Sequence, residues 1–269
     1  MKLGFIGLGN MASAMIGGIL KEGIVAPQDI TGSAKTEKTA EKKAAEFGME
    51  TCTDNRRVAE QADVLVLAVK PQFFPEVIAE IRDVLREGTL VVSVAAGKSI
   101  KYIEEQFGVY ESERRIKLVR CMPNTPALVL AGCTGFCIND QVNKEEKDLA
   151  EKLFSSFGKA IEVPERLMDT VGSVSGSSPA FVFMFIEALA DGAVAEGMPR
   201  GQALEFAAQA VYGSAKLVLE SGLHPEELKD MVCSPGGTTI QGVRTLEKGG
   251  MRGNVMDAVI ACVEKTRKL

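Results

Sequence analysis

Residues 3–9 read Leu-Gly-Phe-Ile-Gly-Leu-Gly, an apolar strand running straight into a glycine turn, and no charge lies between Lys2 and Lys21. Gly7 admits the backbone angles of a sharp turn, and Gly9 lets the backbone approach another group closely where a helix starts. A strand, a tight turn and a helix in that order begin a βαβ unit, which commits a chain to a mostly parallel sheet. A signal segment or membrane span explains the uncharged run less well. Five glycines, Asn10 and Ser13 interrupt it, and only Lys2 precedes it.

The alternation continues. Apolar runs predict strands over 2–6, 29–32, 64–69, 89–94 and 117–121. Amphipathic segments predict helices over 10–21, 36–47, 74–86 and 100–107. Strands this continuously apolar belong to a parallel sheet covered on both faces. Two more strands, 132–138 and 160–163, flank a helix over 144–157. After Pro164 the pattern changes to helices over 179–196, 200–221, 225–232, 238–247 and 251–268. The fold class is therefore α/β: an N-terminal doubly wound, Rossmann-type sheet (1–163) and a C-terminal all-helical domain (164–269). The helix over 179–196 is apolar on most sides, so a partner subunit is expected to cover part of it.

A net charge of −5, scattered along the chain, argues against nucleic acid and against an anionic membrane surface as partners. The six cysteines form no C-x-x-C pair and His224 is the only histidine, so neither a zinc site nor a disulfide framework is expected. Small core thiols in a reducing cytoplasm account for them.

Gly7-Leu8-Gly9 in this strand–turn–helix context reads as a dinucleotide site, with the pyrophosphate at the helix N-terminus and Ala12 in place of a third glycine. The second strand ends Ile30-Thr31-Gly32-Ser33-Ala34-Lys35 with no carboxylate for a ribose 2′-OH. Ser33 can bond a 2′-phosphate and Lys35 can neutralise it, which favours NADPH and keeps NADH as the alternative. Asn55, Arg56 and Arg57 at the next helix start could close over the adenine side; the other reading of Lys35, Arg56 and Arg57 is a solvated surface. Ligands of such sheets bind beyond the carboxyl ends of the strands, so Ala68-Val69-Lys70-Pro71 and Ala95-Ala96-Gly97 are expected to line the cofactor. Lys70 reads as a loop lysine touching ribose or phosphate, with a catalytic acid as the alternative. Asn124, in the rigid Met122-Pro123-Asn124-Thr125-Pro126 loop, is placed to orient the nicotinamide or the substrate.

Ser234-Pro235-Gly236-Gly237-Thr238-Thr239 sits between two predicted helices. Pro235 suits a first helical turn and the glycines bare the backbone, so the amides from Gly236 onward suit a carboxylate or phosphate. A well-capped helix start is the alternative, and the paired threonines favour the ligand.

Five motifs carry a resemblance over essentially the whole chain: Gly7-Leu8-Gly9-Asn10-Met11, Ala68-Val69-Lys70-Pro71, Val119-Arg120-Cys121-Met122-Pro123-Asn124-Thr125-Pro126, Ser175-Gly176-Ser177-Ser178-Pro179-Ala180 and Ser234-Pro235-Gly236-Gly237-Thr238-Thr239. With them the chain resembles the pyrroline-5-carboxylate reductase family. Ser178 stands where that family's loop has a second glycine, and Phe181 where a tyrosine is common. The resemblance implies reduction of the C=N bond of 1-pyrroline-5-carboxylate to L-proline with NADPH, the last step of proline biosynthesis. It implies a helical dimerisation domain, substrate sites between subunits of a homodimer and, in many members, a ring of dimers. It places cofactor contacts on Ile6, Gly7, Leu8, Gly9, Asn10, Met11, Ser33, Asn55, Ala68 to Pro71 and Ala95 to Gly97. It places the substrate carboxylate near Gly236, Gly237 and Thr238, the hydroxyl donor to the ring nitrogen on Thr239, and an acidic substrate-side residue on Glu165. Ser177 is assigned to the substrate side as well.

Two rival readings compete with that resemblance. A β-hydroxyacid dehydrogenase needs a lysine on the first long helix of its second domain, and no lysine lies between Lys159 and Lys216. A non-catalytic NADPH sensor has no use for the Ser234-to-Thr239 segment. His224 reads as a surface cap before Pro225, and Glu165 and Asp169 share one face of a short helical turn.

Overall fold

The computed structural model describes residues 1–111 and 114–268. They form two compact units, Met1–Ser177 with Cys262–Leu269, and Ser178–Ala261.

The first unit is built on β1 (Leu3–Ile6), β2 (Ile30–Ser33), β3 (Glu50–Cys52), β4 (Val64–Leu67), β5 (Leu90–Ser93), β6 (Lys117–Met122), β7 (Gly132–Ile138) and β8 (Gly158–Glu162). They lie in the order β3-β2-β1-β4-β5-β6-β7-β8. Side chains alternate between two cores. Phe5, Val66 and Val92 point to one, with Ile16, Phe136 and Phe154; Ile6, Leu65 and Leu67 point to the other, with Phe74 and Ile78. Burial on both faces explains why these strands read as unbroken apolar runs.

The parallel expectation needs one correction: β7 runs antiparallel to β6, and every other pair is parallel. The Pro123-to-Ala131 link carries only a short 3₁₀ turn, Thr125–Val129. A parallel crossover needs about a dozen residues or more, so the chain reverses instead. The strand β3 was not anticipated; three residues show no periodicity.

Helices α1 (Asn10–Lys21), α2 (Glu37–Phe47), α3 (Asn55–Gln61), α4 (Phe74–Ile81), α5 (Ile100–Gln106) and α6 (Lys144–Ser155) cover the sheet. Their starts are capped by side chains where the sequence offers them: Thr36 on α2, Asp54 on α3, Ser99 on α5, and an Asn143/Glu146 capping box on α6. The short α7 (Met168–Val171) and a π-helical turn, Gly172–Ser177, follow β8. The expected loop ahead of the helix at Pro179 is thus helical as well. Sequence period alone does not separate a wide turn from a loop, because one turn is too short to show it.

The second unit holds α8 (Ser178–Ala195), α9 (Arg200–Ser221), α10 (Pro225–Val232), α11 (Thr238–Lys248) and most of α12 (Met251–Thr266). Its core is small: Ala190, Ala203 and Ala207, with Ile186, Ala193, Val194 and Met198 against them. Many of its large apolar side chains stay exposed, Phe206 at 67% and Leu219 at 78% among them.

Candidate active site

The strand order turns around at β1, with β2 on one side and β4 on the other. Ligands bind at such a switch point, beyond the carboxyl ends of the strands. A cavity of about 440 Å³ lies there, lined by Gly7, Ser33, Lys35, Asn55, Ala68, Val69, Lys70, Glu76 and Glu80 among others.

The β1 turn is fixed by hydrogen bonds from Gly7 N–H to Ser33 O (3.0 Å) and from Ala68 N–H to Ile6 O (2.8 Å). Gly7 has φ +93°, and a Cβ there would stand 2.8 Å from Val69 Cγ1 and 2.9 Å from the Ala68 carbonyl. Nothing lies within 4 Å of a Cβ built on Gly9. No side chain caps α1, so its first N–H groups face that open space. Leu8 is buried in the core, which leaves only its backbone for a ligand.

At the end of β2, the fully buried Ser33 donates from Oγ to Asn55 Oδ1 (2.7 Å), and Asn55 Nδ2 donates to Glu80 Oε2 (2.8 Å). Lys35 Nζ sits 5.6 Å from the Phe73 ring centre, a cation–π contact on the cavity wall. Arg56 and Arg57 turn to protein partners: Arg56 donates to the Glu80 carbonyl and Arg57 pairs with Glu50. Neither lines the cavity, so their surface reading applies.

Ala95, Ala96 and Gly97 follow β5 and line a second, much smaller pocket with Arg120, Cys121, Met122, Met168, Asp169 and Gly172. Arg120 is 6% exposed. Its guanidinium donates to Glu165 Oε1 (3.2 Å) and Asp169 Oδ1 (3.0 Å), and Glu165 Oε1 also accepts the Ile100 N–H (2.6 Å) at the start of α5. Sequence reading missed this clamp. The available signal was a lone arginine inside an apolar strand, with two carboxylates on one helical face downstream. Burial holds the neighbouring Cys137 thiol up at about 12, and Cys121, fully buried, is pushed higher still. Both thiols therefore stay protonated, as core residues do.

Asn124, expected beside the nicotinamide or the substrate, makes two hydrogen bonds to the protein backbone. Its Oδ1 accepts the Cys133 N–H (2.8 Å) and its Nδ2 donates to the Ser175 carbonyl (3.1 Å). Both ends of the buried amide brace the loop against β7 and the π turn. Ser175 Oγ adds a bond to the Cys133 carbonyl, while Ser177 Oγ reaches only the Gly172 carbonyl at 3.4 Å.

In the helical unit, Gly237 N–H bonds the Ser234 carbonyl (3.0 Å) and Gly236 takes φ +71°, closing a turn that only glycine adopts easily. No side chain caps α11, and the hydroxyls of Thr238 and Thr239 have no partner among the described residues. The start of α11 therefore has glycine at its cap position and no side-chain cap. His224 Nδ1 accepts the Glu226 N–H and caps α10, as expected of a surface residue.

A curated protein from Escherichia coli, "Pyrroline-5-carboxylate reductase", is 47% identical over 268 residues, spanning all of this chain and 98% of the relative. The chain belongs to the pyrroline-5-carboxylate reductase family. The Methanosarcina acetivorans reductase is 44% identical, spanning 100% of this chain and 97% of its own. The solved Plasmodium falciparum pyrroline carboxylate reductase with NADP bound superposes with a TM-score of 0.89 at 35% identity, covering 100% and 97% of the two chains. The family model "Pyrroline-5-carboxylate reductase dimerisation" matches residues 165–269, and "NADP oxidoreductase coenzyme F420-dependent" matches 2–97. The chain therefore combines a Rossmann-type unit with a helical domain of the family's dimerisation type. The stretch 165–195 is also long and apolar enough to cross a membrane. The same stretch falls within the match to the dimerisation family model, which offers a protein interface as the other explanation.

Proposed function

We propose that this enzyme reduces the C=N bond of 1-pyrroline-5-carboxylate to L-proline, the last step of proline biosynthesis, with NADPH as reductant and NADH as a second cofactor it can take. Full-length identity to reductases of that name carries the reading. The site fits the dinucleotide: the space beside Gly9 and the uncapped start of α1 form a cradle that any Cβ at position 9 would enter. Gly7 to Met11 would hold the pyrophosphate, Ser33, Lys35 and Asn55 the adenosine side, and Ala68 to Pro71 with Ala95 to Gly97 the remainder. NADPH, when bound, supplies a hydride.

The chain's own residues bind and orient. The backbone of Gly236, Gly237 and Thr238 holds the substrate carboxylate at the start of α11, the amides of Gly236 and Thr238 donating because that of Gly237 is taken by the Ser234 carbonyl. The Thr239 hydroxyl bonds the ring nitrogen. Fixing both ends of a small ring presents one face of its C=N bond for attack. A protonated imine is already electrophilic, so no strong acid need stand beside it. Glu165 and Ser177 belong to the substrate side, and Asn124 braces the loop behind them. We place the domain boundary at 163/164, the substrate sites between subunits of a homodimer that can build into a ring, and the enzyme in the cytoplasm, where its six free thiols stay reduced.

The test is NADPH oxidation in the presence of pyrroline-5-carboxylate, with Thr239→Val beside the unaltered enzyme. The variant should lose kcat/KM on the order of a hundredfold while its NADPH affinity is unchanged. Equal kcat/KM removes Thr239 from the mechanism, and no oxidation by the unaltered enzyme overturns the assignment.

A further inference from the structure

We propose that Glu80 sets the balance between 2′-phosphorylated and plain dinucleotides by dictating where the Ser33 proton points. The inference rests on the cavity beyond β1 and β4 being the cofactor site.

A carboxylate only accepts hydrogen bonds, so Glu80 forces the Asn55 amide to present Nδ2 to it, at 2.8 Å. Oδ1 is then left for Ser33, whose Oγ donates at 2.7 Å. A hydroxyl has one proton. With that proton on Asn55, Ser33 meets the cavity as an acceptor. A ribose 2′-OH can donate to it. A 2′-phosphate is a set of acceptors and finds nothing there unless Ser33 turns away and leaves Asn55 Oδ1 without its partner, in a site where Ser33 is fully buried. The Glu80 charge on the same wall adds repulsion toward a phosphate. Lys35 and Lys70 pull the other way. The relay Glu80–Asn55–Ser33 thus opposes the lysines and keeps both cofactors usable.

Glu80→Gln keeps the shape and adds a donor. The Asn55 amide can then flip, with Oδ1 toward Gln and Nδ2 toward Ser33, which frees the serine proton for a phosphate. Calorimetric titration of the full chain with 2′,5′-ADP and with ADP reads this without catalysis. Glu80→Gln should raise affinity for 2′,5′-ADP about tenfold and change that for ADP by less than about twofold. In a Ser33→Ala background the same substitution should give no selective gain, because the proton it releases is gone. Glu80→Ala also releases the amide and serves as the second variant, with melting curves confirming that each protein is folded.

A selective gain that depends on Ser33 supports the relay. A gain that persists without Ser33 assigns the effect to charge alone and overturns it, as does no gain or an equal rise for both nucleotides. If the unaltered chain binds neither nucleotide, the cofactor reading of this cavity fails and the relay with it. NADPH-to-NADH ratios of kcat/KM should follow the binding ratios.

Discussion

Gly7 and Gly9 lie two residues apart and answer to different constraints. Gly7 is required by the protein itself, since its positive φ and the Val69 and Ala68 atoms leave no room for a side chain. Gly7→Ala should cost about 1–3 kcal/mol, seen as a lower denaturant midpoint. A side chain at Gly9 would meet only open space. Gly9→Ala should keep the same midpoint yet bind NADPH about tenfold more weakly or worse, measured by fluorescence titration. Unchanged binding would move the pyrophosphate elsewhere. Arg120 is the third informative residue. Arg120→Met strips the partner from Glu165 and Asp169. Removing one side of a buried ion pair costs about 3–5 kcal/mol, and because both carboxylates are partly exposed we expect about 3. Chemical denaturation measures it, and a loss below about 1 kcal/mol would show the clamp to be weak.

At the scale of elements, charge fixes what the small alanine core does not. Glu226 at the start of α10 pairs with Lys229 in the same helix and with Arg252 at the start of α12, and Arg252 also holds Glu247 near the end of α11. Hydrogen bonds from Lys229 and then Arg252 hold the Glu226 carboxyl well below the usual range, at about 2 instead of 4.5. A depressed carboxylate stabilises the fold above its unfolded pKa and loses that contribution as pH falls through the folded one. The α10–α12 corner should therefore loosen between pH 4.5 and about 2. Amide exchange in α10 should report it, and Glu226→Gln should abolish that pH dependence. Acid exchange identical in enzyme and variant would rule the cluster out as its cause.

At the scale of the whole molecule, the helical unit leaves many large apolar side chains exposed, Phe183, Met184, Phe206 and Leu219 among them. Each such side chain covered in an oligomer contributes about 1.5–3 kcal/mol. Phe206→Glu or Leu219→Glu should shift the enzyme toward monomer in light scattering, with the Rossmann-type unit still folded by circular dichroism. An unchanged assembly would place the interface on another face.

Much of this was legible locally. Apolar runs, 3.6-residue periods and the Gly7-to-Gly9 turn are properties of adjacent residues, so sequence alone determined the α/β class, the switch to helices after Pro164 and the family. The motifs from Ser175 and from Ser234 carried the function for the same reason, each lying within six residues. Three features were decided only by tertiary structure. The reversal of β7 depends on how short the preceding link is in space. The Arg120 clamp joins residues 45 and 49 positions apart, and Asn55 meets Glu80 across 25. Asn124 shows the same limit, since a loop asparagine looks free until the backbone it braces is folded beside it. Hydrogen bonds need atoms within about 3 Å, and only the folded chain brings such distant residues that close.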